Sequence, residues 1–373
     1  MDSKKTAAIG GIVAAIIAIS FFTLTFELEQ PSDMVPHTIV TNENLGLVIN
    51  TPTNQITLEQ LTKIYDQAAA TGIGRSNVYL FWNLIEPEKG EYDFKNTDVL
   101  ISLNKKHNLK VTAFFSIING KTLGPFPDWI GKPSLNSISE DKLVKILDVI
   151  LSRYDIIDTL IISGGTDEQF RYQENSIPVY KELFNNVYDK IKEKHPNVKI
   201  GNLFSLHGVL NKNLVHIVEE LDDGDFVAFT YFPVDIVNEI NRTPNSARDD
   251  LQQILELVPN KKVALFEISW STSDFIRGNE DQQVEFLKTA YDFYDENNSK
   301  FEFFTWYRQY DRPEGTCSID SESVEKVVDL GGSSEFVIER LENYICNAGL
   351  IDSDGTPKLG WNEFKNQIQK IDS

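Results

Sequence analysis

The feature that most constrains this chain is an alternation. Short apolar runs take turns with longer segments whose apolar residues recur at helical spacing. Strand-like runs fall near Leu45–Ile49, Asn77–Phe81, Lys110–Phe115, Thr159–Ser163, Lys199–Phe204, Phe226–Tyr231, Val263–Glu267 and Phe301–Trp306. Between them, Leu58, Leu61, Ile64, Tyr65 and Ala68 share one face of a first helix, and Val179, Leu183, Val187 and Ile191 one face of a fourth. The other helical patterns cover Thr97–His107, Glu140–Tyr154, Lys212–Leu221, Ser246–Leu257, Asp281–Asn297 and Ser334–Asn347. Strands and helices in strict alternation predict an α/β fold, a closed parallel (β/α)8 TIM barrel over residues 45–373. An open doubly wound sheet is the alternative. It calls for a glycine fingerprint after the first strand, and none is there, nor any phosphate-cradling loop.

The chain ahead of the barrel has a different character. Thr6 to Phe26 holds no charged residue, and a helix of that length spans roughly 30 Å, the thickness of a bilayer core. Lys4 and Lys5 precede it, and Glu27 and Glu29 follow. That bias predicts a cytoplasmic stub and a transmembrane signal-anchor over 1–29, with the C-terminal part outside the cytoplasm. Residues 30–44, with Pro31 and Pro36, read as a linker. A secreted protein released by signal cleavage is the alternative, but no small-x-small site follows Phe26.

Net charge is −21, from 35 basic and 56 acidic residues spread along 373. Such a surface repels nucleic-acid phosphates and anionic lipid head groups and tolerates a neutral substrate. The five histidines include no pair at ligand spacing, and only His207 falls near a strand end, so no metal and no cofactor are expected. Cys317 and Cys346 either join in one disulfide, if the domain lies outside the cytoplasm, or remain two buried thiols.

Barrels of this kind collect their chemistry at the strand C-termini. The run Lys262-Val-Ala-Leu-Phe-Glu267-Ile-Ser-Trp270 drives four apolar residues into one carboxylate at such an end. The second strand ends at Trp82, the fourth runs into Gly165-Thr166-Asp167-Glu168, the sixth ends at Tyr231 and the eighth at Trp306. Aromatic faces stack on the C–H faces of sugar rings, and carboxylates bond hydroxyls. Two carboxyl groups flanking a glycosidic bond can supply a nucleophile and a proton donor.

Three stretches resemble the clan A glycoside hydrolases, the retaining (β/α)8 glycosidases. One runs from Gly72 through Trp82 and Ile85-Glu86-Pro87 to Phe94. The second is Leu265-Phe-Glu267-Ile-Ser-Trp270, and the third runs from Asn347-Ala-Gly349 to Trp361. The resemblance implies Glu267 as nucleophile, Tyr231 as the tyrosine that hydrogen-bonds it, and Trp306 as the floor of the sugar subsite. Trp82, Asp167, Tyr231, Trp270 and Trp306 form the expected carbohydrate-binding set.

The fourth strand departs from the family's Gly-Asn-Glu. Aligning Gly164 with its Gly puts Gly165 on the Asn and Thr166 on the acid/base. A two-residue slip puts Asp167 in the Asn place and Glu168 on the acid/base. On the second strand the family's Arg falls on Asn77, with Arg75 nearer the strand start. Two functions follow. One is a membrane-anchored retaining hydrolase of a β-linked glycan, with Glu267 and Glu168 catalytic. The other is a barrel that binds sugar at a cell surface without cleaving it.

Overall fold

The computed structural model describes residues 41–313, 315–317 and 334–371. Eight parallel strands close into a barrel: β1 Asn42–Leu47, β2 Ile73–Tyr79, β3 Lys110–Asn119, β4 Ile157–Gly164, β5 Lys199–Ser205, β6 Phe226–Tyr231, β7 Lys262–Ile268 and β8 Phe301–Trp306. The closing pairs join β1 to β8 and to β2. Around them run α1 Leu58–Ala69, α2 Lys95–Lys106, α3 Glu140–Arg153, α4 Ile177–Lys194, α5 Leu206–Lys212, α6 Ala247–Leu257, α7 Glu280–Asn297, α8 Ser334–Cys346 and α9 Leu359–Ile371. Side-chain caps start several of them. Thr57 and Gln60 form a reciprocal capping box on α1, and Asn279 accepts from the Gln282 N–H of α7 at 2.9 Å.

Two apolar cores follow from the period of two along a strand. Phe114, Ile161, Leu203, Ala228, Phe266 and Phe303 fill the inside of the barrel. Their sequence neighbours pack outward against the helices. At the N-terminal end Arg75 closes the bottom. It pairs with Asp158 at 3.0 Å, donates to Thr112 and lies over the Phe303 ring.

Two expectations are corrected. The eighth barrel helix was expected over Ser334–Asn347, but α9 is the helix that packs against α7. The helix α8 instead meets rim loops: Asn238 donates to the Val337 carbonyl, and Arg340 lies over Phe275. The second strand ends at Tyr79, two residues before the expected Phe81, and Trp82 opens a short helix over Trp82–Ile85.

Cys317 and Cys346 form a disulfide, which ties the end of α8 to the segment after β8. Among the described residues no helix is long and apolar enough to cross a membrane. The expected anchor and most of the linker, residues 1–40, lie outside the described residues.

Candidate functional site

Glu267 owes its position to an irregularity in β7. Phe229 of β6 pairs with Leu265, but the next residue, Thr230, pairs with Glu267. One extra residue, Phe266, is thus accommodated, as in a β-bulge. Against β8 the same insertion appears between Leu265 and Ile268. The bulge lets two consecutive residues face inward: Phe266 packs in the inner core, and Glu267 stands above it at the barrel mouth.

Glu267 is wholly buried. Its Oε1 accepts from the Tyr79 hydroxyl at the end of β2, and its Oε2 has no hydrogen-bond partner. Burial pushes this carboxyl up to about 8, against the opposing pull of the Tyr79 bond and the Arg308 charge. Asn77, one inward step below Tyr79, donates to the Phe266 carbonyl at 2.9 Å and so braces the bulge.

Just past β8 come Tyr307 and Arg308. Glu267 and Arg308 both act electrostatically on the Tyr307 hydroxyl, which burial lifts to about 12. Arg308 has φ 85°, a left-handed conformation that costs a non-glycine residue about 1–3 kcal/mol. Its guanidinium donates to the Ile345 carbonyl at 2.9 Å and leaves Nε without a partner. Tyr307 then touches Phe232, with ring centroids 5.5 Å apart, and Phe232 stacks on His207. Burial drives the His207 imidazole down to about 4, so it is neutral in ordinary buffers.

The expected aromatic set does not gather around Glu267. Tyr231 pairs with Ile268 on the outward face, and its hydroxyl donates to Asp250 of α6 at 2.8 Å rather than to Glu267. Trp306 also faces outward, packing on Phe286 of α7 at 6.0 Å. Trp270 packs on the same Phe286 at 5.2 Å. Tyr231 and Trp306 face outward by the parity of their own strands, since Phe226 and Ala228 of β6 and Phe303 of β8 are the residues that point into the barrel. Trp82 lies among Phe115, Phe126 and Trp129, its indole N–H on Glu86 at 2.9 Å.

After the fourth strand, the residues of both alignments have definite surroundings. A Cβ on Gly164 would sit 2.7 Å from the Phe114 ring, and Gly165 has φ 61°. Both positions require glycine. Thr166 is buried, its hydroxyl on Ser163 and on the Leu203 carbonyl. Asp167 is buried with Oδ1 accepting from the Ser205 N–H at 2.8 Å, and burial raises it to about 6. Glu168 makes an ion pair with Lys212 at the end of α5.

Tyr79, Arg308 and Trp129 were not expected at the mouth, whereas Tyr307 falls at the eighth strand end as the sequence places it. Tyr79 was legible, two residues beyond Asn77 on the same strand face. The others depend on loop geometry.

No protein-family model and no curated protein matches the chain. Solved structures do. A family 39 glycoside hydrolase from Bacteroides cellulosilyticus superposes with a TM-score of 0.59 at 16% identity, covering 89% of this chain and 64% of that one. A family 5, subfamily 18 enzyme from Streptomyces cattleya, in complex with GlcNAc, gives 0.62 at 11%, covering 89% and 81%. Xylanase 10B from Thermotoga maritima gives 0.56 at 13%, covering 88% and 95%. The fold is that of the clan A glycoside hydrolases. This chain spans just under two thirds of the family 39 enzyme it matches. At the mouth of this barrel stands one buried carboxyl, Glu267, and the acids that follow the fourth strand are engaged elsewhere.

Proposed function

We propose that this chain is a carbohydrate-binding barrel on a clan A scaffold, held outside the cytoplasm by the apolar segment at residues 6–26. One observation carries the reading. Glu168 is paired with Lys212, and Thr166 occupies the other candidate position for the acid/base. Retaining hydrolysis needs two carboxyl groups about 5–5.5 Å apart, one ionised to attack and one protonated to release the leaving group. Burial holds Glu267 protonated up to about pH 8, and among the described residues its hydrogen-bond partner is the Tyr79 hydroxyl and not a carboxyl group. Three half-buried rings, Tyr79, Trp129 and His207, support contact with sugar rings. The Cys317–Cys346 disulfide supports an oxidising compartment.

The second reading is a retaining glycoside hydrolase. It is favoured by Glu267 itself, a strand-end carboxylate whose free Oε2 and Tyr79 partner suit a reacting group. The two readings separate in one experiment. Purified protein is mixed with β-linked oligosaccharides, and binding and release of reducing ends are both measured. Binding without turnover is expected. Turnover that disappears in Glu267→Gln would establish the hydrolase instead.

A further inference from the structure

An acidic chain supplies partners freely to its cations, so cations left without one are informative. Two such cations, Lys121 and Arg171, meet a paired one, Lys212, on the β3–β4–β5 side of the mouth. Lys121 follows β3, Arg171 closes the short helix Thr166–Phe170 after β4, and Lys212 ends α5 after β5. Backbone contacts fix these loops together. The Gly120 N–H donates to the Gly164 carbonyl at 2.7 Å. The Gln169 amide, turned to donate, reaches the carbonyls of Gly120 and Lys121 at 3.0 and 3.3 Å.

Two carboxylates lie beside these cations, and both are committed. Glu168 is taken by Lys212, and Asp167 is buried on the Ser205 N–H. Among the described residues neither Lys121 nor Arg171 has an acid within ion-pair distance. The Arg171 guanidinium lies 4.9 Å over the ring of Tyr172, which is 65% exposed. Lys121 is half-buried, and burial followed by the Arg171 charge holds its ammonium down at about 8. An arriving anion would relieve both penalties.

We infer that Lys121 and Arg171, with Tyr172 as the platform, form a subsite for an acidic sugar bearing a carboxylate or a sulfate. The inference rests on the carbohydrate reading above and names its ligand class. Arg offers a planar fork to either acid, and Lys a point charge. The net charge of −21 repels a dense polyanion at long range, so a ligand with isolated charges fits better than a nucleic acid.

Three probes on one β-linked glucose backbone test this with the full chain: the neutral oligosaccharide, its glucuronate form and its sulfated form. At low salt a charged probe should bind about tenfold or more tightly than the neutral one, the scale of one charge-assisted hydrogen bond. Tighter binding by either charged probe supports the subsite and identifies its acid. The preference should collapse in Lys121→Met/Arg171→Met and survive in Lys121→Arg/Arg171→Lys, a pair that also controls for folding. Equal affinity for neutral and charged probes overturns the subsite while leaving the carbohydrate reading standing. So does a charge preference that persists in the methionine pair. Failure of all three probes to bind overturns the carbohydrate reading itself and the subsite with it.

Discussion

The Tyr79 hydroxyl at the end of β2 donates to Oε1 of Glu267 at the end of β7, across the mouth of the barrel. The bond joins strands separated by β1 and β8, and it occupies one oxygen of a carboxyl that burial keeps protonated.

Stability should therefore depend on pH with a defined sign. Glu267 titrates near 8 in the folded chain and near 4.5 in the unfolded one. Between those values the folded state holds the extra proton, so unfolding free energy falls as pH rises. The loss attributable to Glu267 between pH 5 and 7 is roughly 2–3 kcal/mol. Asp167 and Asp311, both raised to about 6 by burial, add losses of the same sign below that pH. Glu267→Gln removes only its own share. Chemical denaturation across pH 5–8 should show a flatter profile in the variant, and parallel profiles would refute the assignment.

Removing the donor gives a second prediction. Tyr79→Phe leaves both Glu267 oxygens without a partner, since Oε2 already has none. A buried polar group stranded in this way costs about 1–3 kcal/mol. The same substitution in a Glu267→Gln background should cost less, with a coupling energy of about 0.5–3 kcal/mol in a double-mutant cycle. Additive losses would mean that the two side chains do not interact.

The outward aromatics give the third. Trp306 and Trp270 share Phe286 of α7, and Tyr231 anchors Asp250 of α6. They hold helices to the barrel and do not face sugar. Trp306→Phe should lower the melting temperature and leave glycan affinity as it was. A selective loss of affinity in a folded Trp306→Phe protein would return this tryptophan to the binding site.

These residues also mark where the sequence could and could not be read. The alternation of apolar runs located all eight barrel strands, with β2 extending to other bounds than expected, because strands buried on both faces are continuously apolar. Which way a strand-end side chain points is a matter of parity, and one inserted residue reverses it. Nothing in Leu265-Phe266-Glu267 announces a bulge. The roles of Tyr231 and Trp306 came from the family resemblance alone, and the parity of their own strands turns both side chains outward. Gly164-Gly165 was legible as a departure from the expected acid pattern. Its cause, the Phe114 ring pressed against Gly164, is a contact between strands and not a property of either run.

The disulfide supports the last prediction. Cys317 and Cys346 are separated by 29 residues. Closing a loop of that size restricts the unfolded chain enough to stabilise the fold by about 3–4 kcal/mol on the chain-entropy account. The bond also secures the end of α8, whose Ile345 carbonyl receives the Arg308 guanidinium and whose Tyr344 hydroxyl donates to the Ser269 carbonyl at 2.8 Å. Reduction, or Cys317→Ser/Cys346→Ser, should therefore do more than lower stability. Local opening at α8 would admit water to Tyr307 and Glu267, and the Glu267 carboxyl would move back toward its ordinary range. Hydrogen exchange should report faster exchange in α8 than in α9 on reduction, and the pH profile of stability should flatten toward that of Glu267→Gln. Equal protection of α8 in both redox states would show that packing alone holds it in place.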